Sequence, residues 1–271
     1  GFGDAGNAIN SGAFSIYALL LTIASIGVPN AVSRLVSERI SVEDYKGAHR
    51  IFKVALALFA CIGFVGTAMM FFGAKTIANH WLQIPEAELT LVNLSPAIFF
   101  VALICVFRGY FNGRSNMKAT ANSQTMEQIF KTVFTIVIVE LVATFSSSNT
   151  ALMAAGANVA TTLSTIGSFI YLFMYYRVRR EDFAKERIKT KNYQYKTAKQ
   201  IAKMLLAVSI PLTISAILMN LNRNIDATTV VRSLKTFLTE EEATAQYGIL
   251  SGKVDTLTNL PLSFNIAFAT A

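Results

Sequence analysis

Charged side chains lie within several long apolar runs of this sequence, and they are the residues whose chemistry stands out. Arg34 precedes Glu38 by four residues, a spacing that pairs two side chains along one helix face. Lys253 and Asp255 lie more than three turns into a later run that begins near Glu240. Charged groups are costly in lipid and usually face a water-filled cavity, a partner or an anionic ligand. The pattern predicts an anion site between membrane helices; the alternative is that Arg34 and Glu38 reach the inner headgroup region.

A second polar cluster interrupts the apolar run between residues 201 and 231. Five polar side chains fall within seven residues there, and Arg223 lies one turn before Asp226. Five such side chains at membrane depth cannot all face lipid. The alternative is that the helix ends near Asn220 and that an outer loop follows. The cluster consists of Asn220, Asn222, Arg223, Asn224 and Asp226.

The run between residues 123 and 145 carries polar side chains on one helical face. Glu127 precedes Lys131 by four residues, so we expect the two to pair. The face predicts either the wall of a water-filled cavity or a surface in the inner leaflet, and we favour the cavity. Glu140, deeper in the run, is predicted to be a protonated core acid or a site for a coupling ion. The face comprises Gln124, Glu127, Gln128, Lys131 and Thr135.

The sequence contains no constellation that supports an enzyme. His49 and His80 have no carboxylate or second histidine at ligand spacing, so no metal site is predicted. The G-x-G-x-x-G pattern at residues 1–6 lacks the preceding strand that a dinucleotide site requires. Cys61 and Cys105 lie inside apolar runs and are expected to be small hydrophobic residues rather than a disulfide. We therefore expect neither enzyme activity nor a cofactor.

The composition indicates which elements position these side chains. Hydrophobic residues make up 53% of the chain and charged residues 15%, against about 25% charged in soluble domains. Lipid is therefore the expected solvent. Seven apolar runs are long enough to cross a hydrocarbon layer of roughly 30 Å, which takes about 20 helical residues. They cover residues 8–36, 52–78, 89–111, 123–145, 151–176 and 201–231, and the seventh begins near residue 240.

These runs predict an all-α fold, a polytopic membrane helix bundle of about seven transmembrane helices. Basic and non-basic connections alternate, and the basic ones are expected in the cytoplasm. The net charge of +8 therefore reflects cytoplasmic loops, and no nucleic acid partner is expected. We predict three regions: a first-lobe bundle (1–176), a basic cytoplasmic connection (177–200) and the first two helices of a second lobe (201–271).

Local signals predict helix ends and packing faces within this bundle. Ser41 is expected to cap the start of the second helix. Asn112 and Gly113 predict a turn. Small residues recur at every fourth position from Gly156 to Ser168, which predicts close packing of that helix against a neighbour.

Four stretches carry a family resemblance: residues 26–38, residues 108–118 with Gln124, Glu127 and Gln128, residues 222–226, and residues 253–261. The first two are similar to the second helix, and to the connection between the fourth and fifth helices, of stage V sporulation protein B-type transporters. The last two resemble the seventh and eighth helices of the related lipid II flippases. Both groups belong to the multidrug/oligosaccharidyl-lipid/polysaccharide exporter superfamily.

The resemblance implies fourteen helices in two lobes that rock about a central cavity, with this chain a fragment that holds family helices two to eight. Family members move undecaprenyl-pyrophosphate-linked sugars from the inner to the outer leaflet. By position, Arg34 and Lys253 are implied to hold the pyrophosphate. Lys253 stands where we expect arginine, and lysine lacks the bidentate fork of a guanidinium group. We predict Asn220, Arg223 and Asp226 as further substrate-binding residues.

The first functional hypothesis is a multi-pass flippase of the bacterial cytoplasmic membrane that moves lipid II or a polysaccharide precursor. Cell-wall or polysaccharide synthesis enzymes are its candidate partners, besides the bilayer and the lipid-linked oligosaccharide. Coupling to Na⁺, H⁺ or the membrane potential is left open, with Glu140, Asp226 and Asp255 as candidate ion sites. The alternatives are a cation-coupled multidrug exporter of the same superfamily, a seven-helix receptor or retinal protein that uses Lys253, and a non-transporting assembly scaffold.

Overall fold

The computed structural model describes Tyr17, Leu21 and residues 27–82, 87–145, 150–188, 190 and 196–234. All regular structure in these ranges is helical, which confirms the all-α prediction. The predicted run that begins near Glu240 lies outside the described residues. The helices are α1 (Gly27–Ile40), α2 (Tyr45–Thr76) with a π-helical continuation (Ile77–Leu82), α3 (Ala87–Asn112), α4 (Met117–Phe145), α5 (Thr150–Val178), α6 (Arg180–Ile188) and α7 (Ala198–Leu234).

Several of these helices are long and apolar enough to cross a membrane. Four segments qualify by length and composition within the described part of the chain: Tyr45–His80, Glu88–Asn112, Asn158–Val178 and Ala198–Leu218. At 29 residues, α4 is also long enough for a span. Large apolar side chains stay exposed on the outer faces, such as Phe72 at 83% and Met69 at 70%. Surfaces of this kind need lipid as their solvent.

α3 is the central helix and packs against α1, α2 and α5. Within its membrane span 67% of the residues are buried, compared with 22% for the span of α2. Near the end of α3, the rings of Phe52, Phe107, Tyr110 and Tyr176 contact one another, with centroid separations of 4.4–6.2 Å. Such pairs add stability beyond the burial of their area. The aromatic cluster therefore holds α2, α3 and α5 together at this end.

Gly109 of α3 and Gly113, directly after its end, allow α1 to lie against their backbone. A β-carbon at Gly109 would lie 2.7 Å from the Pro29 carbonyl oxygen and 2.8 Å from the β-carbon of Val32. A β-carbon at Gly113 would lie 2.6 Å from the Ser33 carbonyl oxygen. Small residues at this four-residue spacing are a common means of close helix contact in membranes. α1 is thereby held against the end of α3.

The connection between α1 and α2 corrects one predicted helix start. Asp44, not Ser41, is the N-cap of α2, and its Oδ1 accepts a hydrogen bond from the Gly47 backbone N–H at 2.8 Å. Ser41 instead donates its hydroxyl hydrogen to the Glu38 carbonyl oxygen at 3.0 Å. The prediction was wrong because the turn after α1 occupies residues 41–43 and leaves the capping position to the next residue.

α6 is a short helix inside the region that we predicted as a basic connection. Its Phe183 is buried, and the guanidinium group of Arg114, from the turn between α3 and α4, lies 4.3 Å from the centre of the Phe183 ring. Arg114 also forms an ion pair with Glu186 of α6. This helix of nine residues is too short and polar to register as an apolar run.

Residues 1–213 and 214–271 form two compact units. α7 begins in the first unit, contains Pro211, and continues past Asn220 to Leu234. The alternative that the helix ends near Asn220 is therefore wrong. The polar cluster lies on continuous helix, although the positions of its side chains are outside the described part of the structure.

Candidate functional site

Arg108, near the end of α3, links three helices through its guanidinium group. Its Nε donates a hydrogen bond to Ser123 Oγ of α4 at 2.9 Å, and its Nη2 pairs with Glu127 Oε2 of α4 at 2.7 Å. Nη2 also donates to Ser168 Oγ of α5 at 3.3 Å. The two charged side chains are only 15% and 23% exposed. Hydrogen bonds between ionised partners are stronger than neutral ones, so this pair fixes the guanidinium in place.

The small side chains of α5 let α4 and Arg108 approach this closely. Ala160, Ser164 and Ser168 are all buried, which confirms the predicted packing stripe. Ser168 Oγ donates to the Ser123 carbonyl oxygen at 3.2 Å while it accepts from Arg108. The small residues of α5 therefore both allow close helix packing and, through Ser168, contribute hydrogen bonds to Arg108 and Ser123.

A cavity of about 270 Å³ lies beside the Arg108–Glu127 pair, between α1, α3 and α4. On its polar side, Thr120 Oγ1 donates to Asn112 Oδ1 at 2.6 Å. Gln124 and Glu127 both line it, which agrees with the cavity wall that we favoured for this face of α4. The lining residues are Leu21, Pro29, Val101, Ile104, Cys105, Arg108, Asn112, Thr120, Gln124 and Glu127.

α1 borders this cavity through Pro29 and carries a polar face of its own. Arg34 Nε and Glu38 Oε1 form the predicted ion pair at 3.1 Å. The Arg34 side chain is 69% exposed and that of Glu38 is 52% exposed, so both are accessible to a ligand. The face consists of Asn30, Ser33, Arg34, Ser37 and Glu38, which recur at helical spacing.

Both polar features lie near the basic end of the bundle. Arg34 is about 9 Å from the end of α1, and Arg108 is about 6 Å from the end of α3. At this end the backbone N–H of Lys46 donates to Thr190 Oγ1 at 3.3 Å, and the α3–α4 turn contacts α6 through Arg114. Three basic connections therefore share one end of the bundle, which the positive-inside rule assigns to the cytoplasm.

Known proteins agree with this architecture. Residues 2–271 match the family described as "Polysaccharide biosynthesis protein". The chain belongs to this family. It is 28% identical over 273 residues to stage V sporulation protein B of Bacillus subtilis (strain 168), an alignment that covers 99% of this chain and 51% of the relative. It is 26% identical over 186 residues to the lipid II flippase MurJ of the same organism, covering 66% of this chain and 34% of that protein.

Solved structures extend the family match to the fold. A crystal structure of MATE in complex with MaD3S has a TM-score of 0.72 at 17% identity, and the match covers 91% of this chain and 52% of that one. A MOP superfamily transporter from Pyrococcus furiosus has a TM-score of 0.63 at 18% identity, covering 96% and 54%. These likenesses show the fold alone. The chain spans about half the length of the relatives it matches.

Together, these matches confirm a member of the multidrug/oligosaccharidyl-lipid/polysaccharide exporter superfamily. The protein is a multi-pass protein of the bacterial cytoplasmic membrane. A seven-helix receptor does not fit this family. The multidrug exporter alternative is not favoured, because the matched MATE structures share the fold at low identity whereas the curated relatives include a lipid II flippase.

The structure describes some of the predicted site residues fully and others only in part or not at all. It places Arg34 on the polar face of α1 and Glu140 on an exposed side of α4. Asn220, Arg223 and Asp226 lie on α7, with side chains outside the described part. Lys253 and Asp255 lie outside the described residues altogether.

Sequence reasoning missed the role of Arg108, Ser123 and Ser168. Arg108 was assigned no partner, and Glu127 was expected to pair with Lys131 of its own helix. The available signal was that Arg108 precedes the predicted turn and falls inside an apolar run, where an arginine needs a partner.

Proposed function

We propose that the protein is part of a transporter that flips an undecaprenyl-pyrophosphate-linked saccharide, lipid II or a polysaccharide precursor, across the membrane by alternating access. The observation that carries the proposal is the exposed guanidinium group of Arg34 on the polar face of α1, a helix that also borders a polar cavity at the cytoplasmic end of the membrane bundle. The lipid-linked substrate is made at that face, so this is where its headgroup would enter. The family match and the relative that is a lipid II flippase support the same substrate class.

Arg34 is suited to bind and release a diphosphate. Its present partner, Glu38, is a turn away on the same helix and exposed, and pairs of this kind contribute only about 0.3–0.5 kcal/mol. A diphosphate can therefore displace the carboxylate at little cost and take two parallel hydrogen bonds from the guanidinium fork. The polar side chains of α1 would hydrate the headgroup while the polyprenyl tail stays in lipid.

The remaining predicted residues complete this proposal. Asn220, Arg223, Asp226 and Lys253 would contact the headgroup from the helices that follow the basic connection, and the regions 1–176, 177–200 and 201–271 would be the first lobe, the linker and the start of the second lobe. Na⁺, H⁺ or the membrane potential would drive the cycle. Glu140, Asp226 and Asp255 are the candidate ion sites, and cell-wall or polysaccharide synthesis enzymes the candidate partners.

The test is transport of a fluorescent lipid-linked saccharide in vesicles that contain the natural protein carrying this sequence. We expect Arg34→Ala and Lys253→Ala each to lower the flipping rate at least tenfold, because each removes a cation that holds the diphosphate. Lys53→Ala removes an exposed cation on α2, outside the proposed site, and is expected to leave the rate unchanged. Normal flipping by both site variants would refute the cation site, and no flipping by the unaltered protein would refute the function.

A further inference from the structure

The cavity beside Arg108 differs in charge from the polar face of α1. Its two charged lining residues, Arg108 and Glu127, neutralise each other at 2.7 Å, and its other polar lining residues are Asn112, Thr120 and Gln124. A diphosphate that entered this cavity would find no uncompensated positive charge, because the Glu127 carboxylate already neutralises Arg108 and repels a second anion. The cavity is therefore suited to a neutral polar group rather than to an anion.

Hydrogen-bond donors are nevertheless available at the polar wall. Arg108 uses Nε and Nη2 for its three bonds, so its Nη1 makes no hydrogen bond to any residue that the structure describes. Asn112 Oδ1 accepts a hydrogen bond from Thr120. The side-chain amide nitrogen of Asn112 is therefore the group that can donate to a ligand. Gln124 is exposed and offers both a donor and an acceptor. Fixed donors beside a carboxylate acceptor match the hydroxyl groups of a sugar, which donate and accept.

The rest of the cavity lining is apolar. It includes Val101, Ile104 and Cys105 of α3 and Pro29 of α1. Small-molecule sites commonly combine an apolar surface with a few well-placed polar groups. A sugar ring has the same two-sided character, because its C–H groups form a face that packs on apolar side chains while its hydroxyl groups point outward.

We infer that this cavity is a subsite for a neutral sugar ring of the transported lipid, with Arg108, Glu127 and Gln124 bound to its hydroxyl groups. The inference rests on the proposed function and divides the headgroup between two places. The diphosphate lies on the α1 face at Arg34, and the sugar lies in the cavity. Glu127 then has a selective role, because it accepts from sugar hydroxyl groups and repels the diphosphate from the wrong place.

The test compares two probes, undecaprenyl pyrophosphate and lipid II, whose affinities are measured by native mass spectrometry of the natural protein in nanodiscs. The unaltered protein is expected to bind lipid II about tenfold or more tighter, from the added hydrogen bonds to a charged pair. Glu127→Gln should remove most of that preference by weakening lipid II, whereas undecaprenyl pyrophosphate should bind as well or better because the carboxylate that repels it is gone. Gln124→Ala should lower it too, and it leaves the ion pair intact should the first variant fold poorly. Glu88→Gln, the same chemical change at the other end of α3, should change neither affinity.

The outcomes separate this inference from the proposed function. If Arg34→Ala weakens both probes equally and Glu127→Gln weakens lipid II alone, the two-part site is supported. If the unaltered protein binds both probes equally, or if Glu127→Gln and Gln124→Ala keep the preference for lipid II, the sugar subsite is refuted while the flippase proposal stands. If neither probe binds, the flippase proposal fails with it.

Discussion

Two arginine–glutamate pairs lie near the same end of the bundle and differ in almost every physical respect. Arg34 and Glu38 are four residues apart on α1, with side chains 69% and 52% exposed. Arg108 and Glu127 come from different helices and are 15% and 23% exposed. The first pair is cheap to break, and the second is costly because either partner alone would be left charged in a low-dielectric site. The contrast fits the proposal of exchangeable binding on α1 and a rigid cavity wall on α3 and α4.

The largest expected effect comes from breaking the buried pair. Glu127→Ala should lower the free energy of unfolding by about 3 kcal/mol, because Arg108 would lose its counter-charge. Equilibrium unfolding in detergent micelles measures this. The double variant Arg108→Met/Glu127→Leu should recover most of the loss, since two apolar side chains leave no unpaired charge. A double variant as unstable as the single one would show that shape, not charge, dominates here.

The next effect concerns the contact between α1 and α3, the helices that carry Arg34 and Arg108. Gly109→Ala should cost about 2 kcal/mol, because the new β-carbon would lie 2.7 Å from the Pro29 carbonyl oxygen and push α1 away from α3. Gly73→Ala on α2 is the matched control, where the nearest atom is a flexible Ile77 methyl group at 3.6 Å. It should be neutral or stabilising by about 0.5–1 kcal/mol, from helix propensity. Equal losses for both variants would contradict the close contact.

A third pair provides an intermediate case. Arg114 and Glu186 join the α3–α4 turn to α6, with side chains 11% and 38% exposed. We expect Glu186→Ala to cost about 1 kcal/mol, because the exposure of Glu186 weakens the pair and Arg114 keeps its contact with the Phe183 ring. Glu181→Ala, at an exposed position of the same helix, should cost only about 0.3 kcal/mol. A cost for Glu186→Ala as large as that of Glu127→Ala would show that the exposure of the side chains does not determine how much an ion pair stabilises the fold.

The smallest effect is expected at the exposed pair. Glu38→Ala should change the free energy of unfolding by about 0.5 kcal/mol or less, since both side chains already contact solvent. The same unfolding measurement, repeated at high salt, should erase even this difference. A loss above roughly 2 kcal/mol would mean that Arg34 is structurally committed and is not free to bind a ligand.

The sequence alone predicted those features that depend on residues close together along the chain. Composition and apolar run length predicted the membrane helices, because these reflect the solvent and the bilayer thickness. The pair between Arg34 and Glu38 followed from one helical turn of spacing, and the turn at Asn112 and Gly113 from its residue types. The small stripe on α5 followed from its four-residue period.

Features that depend on distant segments were not predictable in this way. Arg108 and Glu127 are nineteen residues apart on two helices, and only the tilt and rotation of those helices bring them together. Spacing offered Lys131 as a partner of Glu127 but could not reveal a partner on another helix. α6 was missed because its stability comes from Phe183 and Arg114, a contact made across the fold, rather than from an apolar run.

Water access to the cavity wall tests the central claim most directly. With Cys61 and Cys105 replaced by alanine, Gln124→Cys should react with a membrane-impermeant thiol reagent from the cytoplasmic side, because only a hydrated thiol ionises readily. Val133→Cys, on the exposed apolar side of α4, should stay unreactive in lipid. Added lipid II should slow labelling at position 124. An unreactive Gln124→Cys, beside a reactive Ser115→Cys in the α3–α4 turn, would contradict a hydrated headgroup site between these helices.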